Sequence, residues 1–217
     1  MTKAETLKRY ILFIIGLFFI AMGVAFTKHA ELGVSPISSV ANILSYKFTF
    51  MSMGSWLTFT NCLMILGQIV LLRKNFKLIQ LLQLPLSFLF GFFTDVCLSV
   101  ISMINTDAYA TQITLVLVGV VVLAFGISLT VIANVIMNSG EAFVKALADV
   151  ICKGFGDVKT AFDVSWVALS IVLSLIFFDF RIVGTREGTI ISAVCTGLVV
   201  KFFNKFLAQP LNRYLSK

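Results

Sequence analysis

Six long runs of apolar residues, at 10–27, 54–72, 78–104, 113–137, 164–178 and 188–204, alternate with short stretches that carry most of the charge. Most of the runs approach or exceed the roughly 20 residues that an α-helix needs to cross a hydrocarbon core of about 30 Å. None alternates with period two as a barrel strand does, and in lipid only helices and closed barrels pair every backbone N–H and C=O. The pattern predicts an all-α polytopic membrane protein. Two further segments, 33–50 (GVSPISSVANILSYKFTF) and 139–155 (SGEAFVKALADVICKGF), are less apolar than their neighbours, and the second contains Glu141, Lys145 and Asp149. Neither reads as a lipid-facing span.

Composition sharpens this picture. Hydrophobic residues make up 59% of the 217 positions and charged residues only 12%, with a mean hydropathy of +1.02, too little polar surface to solvate a globule of this size. Lys3, Lys8 and Arg9 before the first run could introduce a secretory signal, but the apolar stretch from Tyr10 to Thr27 is longer than a typical h-region of about 7–15 residues and no small-x-small site follows it. It is expected to remain as the first span. No lipidation motif appears. Cys62, Cys97, Cys152 and Cys195 lie in or beside apolar helical stretches, without metal-ligand spacing, and are expected to be packing residues.

The whole chain, 1–217, reads as a single transmembrane domain containing an internal repeat of halves at approximately 8–104 and 112–208. Gly16, Gly23, Thr27 and Ala30 match Gly119, Gly126, Thr130 and Ala133 at one constant offset; Val40 matches Val144, the run Phe76 to Ile79 matches Phe180 to Val183, and Gly91 matches Gly197. Each half reads as a long helix, a shorter polar-interrupted segment and two more long helices.

Topology then follows from charge. If the two short segments are re-entrant or broken helices, six helices span, both termini are cytoplasmic, and thirteen Lys/Arg lie inside against four outside, Lys28, Lys47, Arg181 and Arg186. If both short segments span, giving eight spans, Arg73, Lys74 and Lys77 move outside and Lys145 falls in mid-membrane. The positive-inside rule favours six. Three spans per half is an odd number, so the second half is inverted relative to the first, as in many secondary transporters. The net charge of +7 belongs to this orientation and gives no reason to expect nucleic-acid binding; Lys201, Lys205, Arg213 and Lys217 are placed to snorkel toward anionic headgroups.

Candidate chemistry gathers at the short segments. Ser35-Pro36 and Ser139-Gly140-Glu141 resemble helix starts, Ser at the cap and Pro at the first helical position. Such starts present unpaired N–H groups and the positive end of the helix dipole to a polar or anionic ligand group, although the same motifs also serve as plain caps at a surface. Glu141, Lys145 and Asp149 share one helical face by their spacing, with Lys145 in reach of either acid, either as a coupling group or as a structural ion-pair ladder. Asn61, Asn134 and Asn138 could line the same cavity. Asp163 lies inside the seventh segment, and Asp95 suits a coupling ion or a structural hydrogen bond equally well. His29, the sole histidine, reads as an interface residue, and Trp56, Trp166 and the phenylalanines as packing and belt groups. Pro85 is expected to kink the fourth span.

No HExxH, GxSxG, Walker or Cys/His pattern occurs, so neither an enzyme, a metal site nor a cofactor is expected. The stretch GLFFIAMGVAFTKHAELGVSPISSVANILS, echoed by GVVVLAFGISLTVIANVIMNSGEAFVKALADVI, resembles the bacterial YczE/YyaS/YitT-type membrane protein family. That resemblance implies a multi-pass protein of the bacterial cytoplasmic membrane with a relation to drug or metabolite exporters, and supplies no binding residues. The expected function is an ion-coupled secondary transporter, an exporter, of a small polar or anionic organic molecule. The alternatives are a substrate-binding membrane subunit of an energy-coupling-factor importer and a membrane scaffold without transport. Partners are the lipid bilayer and a small-molecule substrate, with a homo-oligomer left open.

The six-span topology places the loop at Asn75 on the cytoplasmic side. A single cysteine introduced there is expected to react with a membrane-impermeant thiol reagent from the cytoplasmic face alone; labelling from outside would support eight spans.

Overall fold

A computed structural model describes residues 3–215; Lys217, counted above among the cytoplasmic cations, lies outside them. Eight helices follow one another: α1 (Lys3–His29), α2 (Ser39–Lys47), α3 (Met53–Leu72), α4 (Gln83–Ile101), α5 (Tyr109–Ala133), α6 (Ser139–Ile151), α7 (Phe155–Phe177) and α8 (Glu187–Leu215), with a 3₁₀ turn at Pro36–Ser38 leading into α2. No strand occurs among the described residues beyond one isolated bridge between Gly33 and Thr185. Six of the helices are long and apolar enough to cross a membrane. The other two, α2 with 9 residues and α6 with 13, extend about 14 and 20 Å at about 1.5 Å per residue and cannot cross a hydrocarbon core of about 30 Å. Large apolar side chains, among them Val70, Phe88, Phe92, Leu198 and Phe202, are exposed on the long helices, the surface a bilayer covers and water does not.

Helix limits depart from the apolar runs where local chemistry decides. α5 stops at Ala133 because Asn134 takes a left-handed conformation with φ 49° and its N–H bonds Thr130 O, a C-terminal cap that asparagine tolerates. α7 begins at Phe155, ahead of its apolar run, so its first turns carry Lys159 and Asp163. The expected reason for a kink at Pro85 is missing: α4 begins at Gln83, so Pro85 falls in the first turn, where a missing N–H breaks no helical bond. Asp95 of α4 accepts from the Gly54 N–H at 2.8 Å and from the Ser52 hydroxyl, so it completes the cap of α3.

The centre of the fold is the crossing of α1 with α5. A Cβ at Gly16 would stand 2.9 Å from Gly126 O and 2.8 Å from Thr130 Cγ2; one at Gly23 would stand 2.7 Å from Gly119 O and 2.5 Å from Leu123 Cβ. Contacts advance along α1 as they retreat along α5, so the two helices are antiparallel. The reciprocal contacts are present as well: Gly119 against Thr27 Cγ2 at 2.8 Å, and Gly126 against Gly16 O at 2.6 Å. Small residues here let two backbones touch, which in lipid replaces the missing hydrophobic drive with dense packing.

Around this pair, α4 packs on α1 and α3, α8 on α5, and each short helix lies against both α3 and α7. Two glycines that the sequence pairs lie in unlike surroundings. Gly91 of α4 is pressed against Gly54 O and Thr58 of α3, whereas Gly197 of α8 has nothing within 4 Å, and α7 scarcely touches α8.

Substituting leucine at Gly23 is expected to destabilise the protein by about 3 kcal/mol or more, since overpacking against backbone cannot relax by rotamer change. Gly197→Ala should leave the melting midpoint in detergent within a degree or two of the parent. Equal effects of the two would show that the crossing is not the tight interface.

Candidate functional site

The two short segments meet. The Ile37 side chain fills the space over Gly140, so that a Cβ there would collide with it. Each segment's start is held by a long helix. Trp166 of α7 donates its indole N–H to Ile37 O at 3.1 Å, and Gln68 of α3 donates to Ser139 O at 3.1 Å while pairing with the Gln83 amide at 3.0 Å. Both bonds go to carbonyls at the beginning of a helical segment, where the unpaired backbone groups are N–H, so they fix the segments in place and do not cap them.

The helix starts differ in detail from the sequence reading. Ser35 precedes the 3₁₀ turn with Pro36 at its first position, but its hydroxyl bonds Ser38 Oγ at 3.0 Å and caps no N–H. The cap of α6 is Asn138, whose Oδ1 accepts from the Ser139 N–H at 3.0 Å; Ser139 is the first helical residue, buried, with its hydroxyl 3.4 Å from that of Ser87. Ser139 and Gly140 therefore frame the site and do not line it.

Beside this junction, in the seam between α7 and α8, lies a cavity of about 370 Å³. Of the residues chosen from the sequence, Ser35, Pro36, Asn61, Asn138, Glu141 and Asp163 line it. Its size falls within the range of small-molecule pockets, roughly 300–1,000 Å³. One wall is apolar, formed by Ile20, Val24, Phe90 and Leu123 from the central helices.

Its charge comes from α6 and α7. Lys159 and Asp163, one turn apart, form an ion pair whose side chains are 27% and 24% exposed. Glu141 belongs to α6, which is not among the six helices long and apolar enough to cross a membrane; Glu141 lines the cavity, and no hydrogen bond reaches its carboxylate among the described residues. Burial pushes the Glu141 carboxyl above its ordinary value; Lys159 pulls it down and Asp163 pushes it up, with burial the largest cause.

Lys145 does not act as the partner expected for Glu141 and Asp149. Lys145 and Asp149 are exposed and line an outer cleft of about 210 Å³ with Lys77 and Gln80; among the described residues Lys145 forms no ion pair. Spacing put the three side chains on one face of α6, but α7 covers only the start of that face, and there the cation is Lys159. Asn134 is likewise absent from the central cavity: with Lys145 it lines a second cleft of about 290 Å³, which Asn138 and Glu141 share. Those two residues thus stand between the cavity and this second cleft. Asp95, at the α3 cap, is also elsewhere.

Sequence reasoning missed Lys159 and the polar face of α8. Ser192 and Thr196 line the cavity, and together with Thr189 their hydroxyl oxygens are buried without a hydrogen-bond partner. Positions 189, 192 and 196 recur at helical spacing within an apolar run, which was the available signal.

Removing Lys159 should cost more than removing Lys145. Lys159→Met leaves Asp163 and Glu141 beside each other without a cation, and a loss of about 1–3 kcal/mol is expected for this half-buried pair; Lys145→Met is expected to change the melting midpoint little. The opposite order would return Lys145 to the role that spacing suggested.

The comparisons agree with the membrane character. The model of a family of unknown function, DUF6198, matches residues 7–205. The protein named "Uncharacterized membrane protein YczE" from Bacillus subtilis (strain 168) is 26% identical over 212 residues, which cover 97% of this chain and 92% of that protein. No solved structure matches. With its family model covering nearly the whole of the helical bundle, this chain belongs to the DUF6198 family, a group of YczE-type membrane proteins.

Proposed function

We propose that this protein is an ion-coupled secondary transporter of a small polar organic molecule, built as two inverted three-span halves in the cytoplasmic membrane with both termini inside. The observation that carries the reading is the inequality of two equivalent seams. Gly91 closes α4 onto α3, while Gly197 leaves α8 away from α7 with the cavity between them. Two halves of like design held in unlike states are what alternating access requires, since exchanging the two states moves the opening from one side to the other.

The antiparallel α1–α5 crossing supports the inverted arrangement. Its reciprocal glycine contacts exchange under a twofold axis that relates the halves, and an axis reversing a membrane helix lies in the membrane plane. Eight alternating spans would make α5 the fifth crossing and set it parallel to α1. The resemblance to exporters points to outward movement.

A locked seam tests this. Thr160→Cys on α7 and Gly197→Cys on α8, on a background without the native cysteines, should be joined by a short reducible cross-linker. Inside-out vesicles incubated with a cell extract are expected to retain at least one metabolite before cross-linking and after reduction, but not while the link is present. Retention that never differs from protein-free vesicles would favour the scaffold reading.

A further inference from the structure

Deepening that reading of the same cavity, and resting on it, we propose that its ligand is an organic ammonium ion that takes the place of a proton on Glu141. The charges facing the cavity are few. Lys159 and Asp163 on α7 neutralise each other, Lys159 being engaged as a donor to Asp163. Lys145, on the same helix as Glu141, does not line this cavity; it lies in the second cleft, which Glu141 also reaches, and is exposed there. From α1, α3, α4, α5, α8 and the 35–38 turn come only neutral groups, the polar ones being Ser35, Ser38, Asn61, Ser192 and Thr196. One carboxylate therefore remains over.

An anionic ligand would meet two carboxylates and a lysine already in use. A cation would balance Glu141 in a site where charge is poorly screened. The hydroxyls of Ser192, 1% exposed, and of Thr196 have no hydrogen-bond partner, and a hydroxyl can accept from an ammonium N–H or donate to an oxygen on the ligand. The Phe90 ring and the aliphatic wall accept the carbon skeleton, and an aromatic face also favours a cation.

The exchange balances without any other reagent. The neutral carboxylic acid of Glu141 releases its proton to water in the cleft that it shares with Asn134 and Lys145, the electron pair stays on the carboxylate, and the ammonium ion becomes its counter-charge. Return of the proton expels the ligand. A carboxyl raised by burial is protonated at low pH, so cation affinity falls as pH falls through that value and levels off above it.

Binding of fixed-charge probes decides the matter, because choline and benzyltrimethylammonium carry no exchangeable ammonium proton and any proton set free comes from the protein. In weakly buffered detergent solution both are expected to bind with proton release that approaches one at the acidic end of the range and falls away where the affinity levels off. Their affinity should rise by up to about tenfold per pH unit over the acidic part of the range. Phenylacetate, an anion of similar size, is expected to bind at least tenfold more weakly. Glu141→Gln should abolish proton release and weaken the cations at least tenfold. Should Glu141→Gln fail to fold, proton release from the unaltered protein carries the same test, and Thr196→Val should weaken choline, whose hydroxyl it can meet, more than benzyltrimethylammonium. The proposal is overturned by preference for phenylacetate, by cation binding without proton release, or by no cation binding at millimolar concentration. If it falls while the locked seam still stops metabolite retention, transport stands and the ligand class is wrong; if retention is also unaffected, both fall.

Discussion

Where α1 crosses α5, two helices approach until the backbone of each rests on the other, and the remaining helices take their positions from that contact. Lipid gives no hydrophobic reward for joining two apolar helices, so the association depends on dispersion over a surface without projecting side chains. Gly16, Gly23, Gly119 and Gly126 provide that surface, and Thr27 and Thr130 seat their methyl groups against it. Thr27 turns its hydroxyl back to Gly23 O at 3.2 Å and Val24 O at 3.0 Å, so no polar atom is left facing the partner. With this pair fixed, α4 and α8 lie outside it, and the two short helices are left between α3 and α7.

The short helices then meet a requirement that the long ones escape. A spanning helix ends in water or headgroups, whereas a helix that stops inside must have its free groups satisfied by protein. At the start of α6 the Asn138 side chain accepts from the Ser139 N–H at 3.0 Å, while Trp166 and Gln68, donating to Ile37 O and Ser139 O, tie the two segments to α7 and α3. At the α5 end, Arg9 of α1 reaches Ala133 O at 3.2 Å and Ile132 O at 3.4 Å, placing positive charge at a helix C-terminus, where it is favoured. The short helices therefore keep their places through bonds from other elements.

The long helices and the two short segments were legible in sequence because membrane solvation writes itself as uninterrupted apolar length and as charge between runs. Close-approach positions such as Gly23 and Gly126 were legible because dense packing restricts residue type. Facing was much less so. Lys159 counted as a loop cation because it precedes the apolar run of α7, yet the helix begins at Phe155 and turns it inward. Lys145 and Asp149 shared a face with Glu141 by periodicity, but periodicity names a face and not its neighbour. Asn138 displaced Ser139 as the cap of α6 because α6 begins one residue earlier than the Ser-Gly-Glu motif suggested, with the Asn138 side chain accepting from the Ser139 N–H.

The solitary carboxylate of the cavity has an electrical consequence. A membrane potential does work of about 2.3 kcal/mol per 100 mV on each elementary charge that crosses, so a carrier that moves net charge is driven or opposed by voltage. A site with one carboxylate over its internal ion pair holds one monovalent cation or one proton and never both. Trading one for the other carries no current, and on this reading the protein draws on the pH difference alone and is indifferent to the voltage across the membrane that holds it.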